Sequence, residues 1–179
     1  MTEVATTYGQ AMYDLARDEN KSRTLLAELS ALDQGLRAEP EFLQLLSAPN
    51  IPKEERVQIL DDSFRGKVHP YLLNFLKILT EKNYIRYFSD CCDAYIQCYN
   101  QDNDILSVTA VTAVALSDAQ AEKLTAKLAK ITGKHIDLVS RIDPSCLGGI
   151  RLDYDGKRLD DTVSNRLDTI RDLLKNTVL

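Results

Sequence analysis

Apolar residues recur at helical spacing through the first hundred positions, and the period then changes. Val4, Tyr8, Met12 and Leu15 lie close to one face at i, i+4, i+8 and i+11, with Thr2 or Thr6 placed to cap the helix. Ala5, Ala11 and Ala16 are small neighbours that allow a second helix to approach closely. A second helix is predicted from about Lys21 to Ala38, striped by Leu25, Leu29, Leu32 and Leu36. Glu39-Pro40 opens a short third one with Phe42, Leu45 and Leu46 on its apolar face. Pro49-Asn50-Ile51-Pro52 breaks it, because a residue before proline avoids the α region. Pro52 is placed to start a fourth helix that buries Val57, Ile59, Leu60 and Phe64 and ends at Gly66.

The fifth helix begins near His69-Pro70 and is crowded. Leu72, Leu73, Phe75, Leu76, Ile78 and Leu79 exceed what one stripe needs, so this helix is either central to a bundle or carries a second contact surface. A sixth is predicted from Tyr84 to about Gln101, with Ile85, Phe88, Cys92, Tyr95, Ile96 and Tyr99. Residues 1–104 therefore read as a six-helix bundle with short connections.

Past the polar break Gln101-Asp102-Asn103-Asp104 the composition shifts. Ile105 to Leu116 is rich in Val, Thr and Ala and reads as a strand. Ser117 and Gln120 form a capping box for a helix carrying Ala121, Leu124, Leu128 and Ile131, closed by Gly133. His135 to Asp143 follows as a strand with Ile136, Leu138 and Ile142 on one face, so the strand–helix–strand unit implies a parallel crossover. Gly148-Gly149 leads into the alternating run Ile150 to Tyr154. Asp155-Gly156 is a type I′ hairpin signal, since both central residues of that turn need positive φ, and Lys157-Arg158-Leu159 leads away from it. A last amphipathic helix enters through Asp160-Asp161-Thr162 and shows Val163, Leu167, Ile170 and Leu174 at helical spacing. The expected whole is mainly α: a six-helix bundle followed, over residues 105–179, by a small α/β domain of order β-α-β-β-β-α.

Composition narrows the function classes. The chain has 179 residues, a net charge of −5 and no Lys/Arg cluster, which argues against a nucleic-acid binder. The longest uncharged run, Ile105 to Ser117, is too short to span a bilayer, and the first ten residues lack the basic-then-apolar order of a signal peptide. A cytosolic location follows as the expectation, or attachment to a membrane through a partner. Cys91, Cys92, Cys98 and Cys146 match no zinc spacing and are expected as free thiols and apolar fillers, so no metal site is expected.

Candidate chemistry is sparse. Asp153, Asp155, Asp160 and Asp161 cluster and are the residues on which a small enzyme would have to rely, but a turn accounts for Asp155 and helix capping for Asp160 or Asp161. Gly148-Gly149 lacks the Gly-Lys-Ser/Thr of a P-loop and the third glycine of a dinucleotide fold, and a backbone bend explains the pair. His69 and His135 have no nucleophile elbow to serve. What remains is apolar surface. The first and fifth helices together offer a groove for a partner's amphipathic helix, unless both faces are simply core.

Several motifs carry a resemblance. Ile136, Leu138 and Ile142, the Gly148-Gly149 pair, Ile150-x-Leu152, a turn, and then Asp160-x-Thr162-x3-Arg166-Leu167 form one signature. The start, Tyr8-Gly9-Gln10-Ala11-Met12-Tyr13-Asp14-Leu15-Ala16, is similar to Tyr-Ala-x-Ala-Leu-Phe-x-Leu-Ala. Gly9 stands for the usual Ala at a cost of roughly 1 kcal/mol in helix propensity, and Met12-Tyr13 for Leu-Phe. Ala48-Pro49 with Ile51 to Arg56 fits a third region.

In these residues the chain resembles, over its full length, the delta subunits of F-type ATP synthases, relatives of the mitochondrial oligomycin-sensitivity-conferring protein. The resemblance implies a subunit without catalysis or cofactor, the cap of the peripheral stalk. Residues 1–104 would bind N-terminal helices of the α subunits of the catalytic head, and residues 105–179 the b subunit. The chain would meet the cytoplasmic face of the cell membrane only through the complex. Candidate contacts are Tyr8, Met12, Leu15, Leu72, Phe75 and Leu79 for the head, and Val163, Leu167, Ile170 and Leu174 for the stalk; Gly148, Gly149, Asp160 and Arg166 mark the family signature. The rival readings are the small carboxylate enzyme and a helical adaptor outside the synthase.

Overall fold

The computed structural model describes residues 2–167. The chain divides into two compact units, Met1–Tyr99 and Asn100–Leu179. In the first, six helices run in order: α1 (Glu3–Asp18), α2 (Ser22–Ala38), α3 (Pro40–Leu46), α4 (Lys53–Phe64), α5 (Pro70–Glu81) and α6 (Phe88–Asp102), whose last turn crosses the boundary. A short 3-10 turn, Ile85–Tyr87, occupies what periodicity assigns to the start of the sixth helix.

Local chemistry sets the helix ends. The Thr2 hydroxyl accepts from the Ala5 N–H at 3.3 Å and caps α1. Pro52 stands just outside α4 as its N-cap rather than within it. Pro70 fills the first turn of α5, where its missing N–H costs nothing.

The core draws on every helix. Leu25, Leu29, Leu46, Leu60, Leu72, Leu76, Leu79, Phe88 and Tyr95 are essentially buried, each such side chain contributing roughly 1.5–3 kcal/mol of transfer free energy. Tyr95 donates its hydroxyl to the Ser22 carbonyl at 2.9 Å and packs edge-on against Tyr13, tying α6 to α2 and α1. The buried face of α1 is Ala5, Gly9, Met12, Tyr13 and Ala16. The apolar stripe Val4–Tyr8–Met12–Leu15 therefore runs along the edge of that face, and only Met12 belongs fully to both.

In the second unit, β1 (Ile105–Thr112), α7 (Asp118–Thr132), β2 (His135–Ile142), β3 (Gly149–Tyr154) and β4 (Lys157–Thr162) build a four-stranded sheet of order β2-β1-β3-β4. β1 and β2 are parallel in register from Ile105 opposite His135 to Thr112 opposite Ile142, and the remaining pairs are antiparallel. Central β1 is the most buried strand, with Leu106, Val108, Ala110 and Val111 inside. Register places Leu106 opposite Ile136, Val108 opposite Leu138 and Ala110 opposite Leu152, one apolar face across three strands. The Ser117–Gln120 capping box is formed, and Gly133 closes α7 in the left-handed conformation. Asp155 and Gly156 both have positive φ, as the type I′ turn requires.

Two boundaries differ from the sequence reading. β1 stops at Thr112 instead of Leu116. Its partners run out there: the Asp143 N–H closes the ladder on the Thr112 carbonyl at 2.8 Å, and Pro144 follows without a donor. At the other end, Asp160, Asp161 and Thr162 are strand residues of β4, so neither aspartate caps the following helix. Helical conformation begins at residue 163 and is described to 167. Thr162 is the cap instead, its hydroxyl accepting from the Asn165 N–H at 3.2 Å. Asp160 holds that hydroxyl by accepting from it at 2.7 Å.

Candidate functional site

α1 and α5 expose a shallow apolar groove of about 220 Å³ between them. Tyr8, Ala11, Met12 and Leu15 line it from α1; Tyr71, Asn74, Phe75 and Ile78 line it from α5. Both sets are spaced i, i+3, i+4, i+7, so each wall is two helical turns, about 10 Å, of one face. The floor is buried: Met12 is 4% and Phe75 6% exposed. The lips are open: Leu15 is 42% and Ile78 36% exposed. Large apolar side chains are thus exposed on both lips of one groove.

The structure brings together Tyr8, Met12, Leu15 and Phe75 of the six residues proposed from sequence. Leu72 and Leu79 do not line the groove: both are 0% exposed, buried in the bundle core. Ala11, Tyr71, Asn74 and Ile78 were missed. The signal for three of them was the i+3/i+4/i+7 continuation from Tyr71, which resolves the crowding of α5 into a core stripe and a groove stripe. A second apolar groove, about 380 Å³ and absent from the sequence reading, lies between α2, α3 and α4 around Leu36, Phe42 and Phe64.

In the second unit, Val163, Leu167 and Leu147 are 42%, 53% and 67% exposed. The Val163 N–H donates to the Gly148 carbonyl at 3.0 Å, which fixes the start of the last helix on the Gly-Gly bend. Ile170 and Leu174 lie outside the described residues. The four signature residues are architectural. A Cβ on Gly149 would stand 2.3 Å from the Asp161 carbonyl oxygen, so β3 and β4 can pair there only with glycine. Gly148 provides the carbonyl just described. Arg166 donates through Nε to Asp161 at 2.9 Å, tying the helix back to β4.

The carboxylates are committed to structure. Arg158 donates to Asp153 at 2.7 Å and holds its carboxyl below the usual range, with Arg151 at 3.4 Å adding to this. The Thr162 hydroxyl does the same to Asp160. Carboxyls held low are fixed anions, the reverse of what general acid–base work at neutral pH asks. Among the described residues no three His, Cys, Asp or Glu side chains converge as a metal site. Burial pushes the Cys91 thiol up to about 11 and Cys92 higher still, so both are inert fillers. No helix among the described residues is long and apolar enough to cross a membrane.

Known proteins share this pattern across both units. The ATP synthase subunit delta of Alkaliphilus oremlandii is 31% identical over 176 residues, spanning 98% of each chain. That of Lactobacillus delbrueckii subsp. bulgaricus is 33% identical over 178 residues, with 96% of each covered. In fold, the chain is similar to one in the cryo-EM structure of the Toxoplasma gondii mitochondrial ATP synthase hexamer, with a TM-score of 0.76 at 20% identity over 97% of this chain and 98% of that one. A family profile, ATP synthase delta (OSCP) subunit, matches residues 4–174, and the chain belongs to that family.

Proposed function

We propose that this subunit is a non-catalytic stator link of a rotary ATP synthase, joining the catalytic head to the peripheral stalk so that proton flow is coupled to ATP synthesis. Residues 1–104 grip the head by seating an amphipathic N-terminal helix of an α subunit in the α1/α5 groove. Residues 105–179 hold the b subunit, with Val163 and Leu167 in the contact. The chain is then peripheral, at the cytoplasmic face of the membrane, through the complex alone. The observation that carries this reading is the pair of exposed lips, Leu15 and Ile78, over a buried floor of Met12 and Phe75, in a chain of this family. A link that stays bound under torque needs about nanomolar affinity, roughly −12 kcal/mol. Two units holding two partners also gain from effective concentration.

The test uses the lips, because charging the buried Met12 or Phe75 would unfold the bundle. Leu15→Asp with Ile78→Asp should leave the fold intact and abolish binding to catalytic head stripped of its own delta subunit. Membranes carrying the double variant should hydrolyse ATP without pumping protons. Undiminished binding by the double variant sinks the groove.

A further inference from the structure

His69 stands at the entrance of α5 with its backbone N–H and its ring Nδ1 engaged. Its N–H donates to Glu28 Oε2 of α2 at 2.7 Å. Its Nδ1 accepts from the Tyr71 N–H at 3.3 Å and is the N-cap acceptor of α5. Its Nε2, which carries the ring proton when Nδ1 accepts, lies 3.4 Å from Lys21 Nζ. The imidazole lies against Tyr71, ring centroids 4.9 Å apart, and Lys21 Nζ sits 5.3 Å from the centre of that same tyrosine ring. Tyr71 is a wall of the α1/α5 groove. One titratable ring therefore holds both the first turn of α5 and an aromatic residue of the docking surface.

The hold depends on a lone pair. A neutral imidazole has one acceptor nitrogen; an imidazolium has none. On protonation the Tyr71 N–H loses its partner, a cation appears at a helix N-terminus where the macrodipole opposes it, and the Lys21 ammonium faces a like charge. The charged groups packed here are Lys21 and Glu28, whose carboxylate accepts from the His69 backbone N–H rather than from the ring. We propose that His69 is a proton-operated catch on the groove: protonation withdraws the cap from Tyr71, loosens the first turn of α5, and weakens the grip on the helix seated there as pH falls.

This rests on the groove reading, and the experiment separates the two. Full-length protein labelled with ¹⁵N is titrated from about pH 8 to about pH 5.5, the span in which histidine changes charge. The Tyr71 amide resonance should move with the His69 ring resonance at one midpoint; a Tyr71 amide that ignores the ring overturns the catch without any partner present. Binding to delta-depleted catalytic head is then measured at both ends of that range. The natural protein should bind roughly three- to tenfold more weakly at the acid end, the loss of one cap. His69→Asn keeps a capping oxygen that does not titrate, and should bind equally at both ends. The same acid weakening in His69→Asn overturns the catch. Absence of binding at either pH overturns the groove reading, and the Tyr71 titration still decides for or against the catch.

Discussion

The carbonyl oxygen of Cys91 on α6 lies where a side chain on Gly9 of α1 would begin. A Cβ built on Gly9 would stand 2.5 Å from that oxygen and 2.6 Å from Ala94 Cβ, inside van der Waals contact with both. The two helices meet almost backbone to backbone. Gly9→Ala should therefore destabilise the bundle by about 1–3 kcal/mol, although alanine is favoured in a helix by about 1 kcal/mol. Gly35 on α2 has open space around its added Cβ, so Gly35→Ala should stabilise by about 0.5–1 kcal/mol. Urea midpoints with unchanged slopes measure both. A Gly9→Ala protein as stable as the parent means that the helices are not this close.

Gly9 also marks what the sequence could and could not disclose. On its own helix it is only a cost; its use appears when Cys91 and Ala94, more than eighty positions away, arrive beside it. Element types followed from local rules: the leucine stripe of α2, the Ser117–Gln120 box and the Asp155-Gly156 turn each act within a few residues. The groove was half legible, since Tyr8, Met12 and Leu15 declare an apolar face. Whether Leu72 or Ile78 completes it depends on which side of α5 the other helices cover, and periodicity cannot choose between two full stripes. Asp160 misled because a carboxylate before an apolar run looks like a cap, while strand pairing with Arg151 extends β4 past it.

Gly149 has φ 78°, and its Cβ would meet the Asp161 carbonyl oxygen at 2.3 Å, a backbone atom that cannot step aside. Gly149→Ala should cost about 2–3 kcal/mol and detach β4 from β3. Hydrogen exchange should show lost protection in the sheet with the bundle amides unchanged. Gly156 has φ 70° but open space, so Gly156→Ala should cost about 1–2 kcal/mol without loss of pairing. Equal effects at both positions contradict the close approach.

Arg56 is 3% exposed on α4, and its Nη1 donates to the Leu46 carbonyl at 3.0 Å and to Asn83 Oδ1 at 2.9 Å. It thereby caps the end of α3 and pins the turn after α5. Arg56→Met keeps the bulk and strands both acceptors, for an expected loss of about 1–3 kcal/mol. A double-mutant cycle with Asn83→Ala should give a coupling energy above about 0.5 kcal/mol. Additive losses mean that the two residues act separately.

Two aspartates of the bundle should respond to acid in opposite senses. Burial raises the Asp93 carboxyl on α6 above the ordinary range; Arg37 opposes this, while Asp33 and Asp90 add to it. A raised folded value means that the contribution of Asp93 is present below the unfolded value and is lost as pH rises through the folded one. Asp93→Asn should thus be more stable than the parent at neutral pH, the gain vanishing once the carboxyl is protonated. Asp61 on α4 is the reverse. The hydrogen bond from Lys77 of α5, 2.7 Å away, holds it low, so its contribution is present above the unfolded value and lost as pH falls through the folded one. Asp61→Asn should be less stable than the parent at neutral pH and match it in acid. Urea unfolding of the three proteins at about pH 7 and about pH 2, well below the ordinary carboxylate range, measures both signs. A gain for Asp93→Asn that persists in acid removes ionisation as its cause.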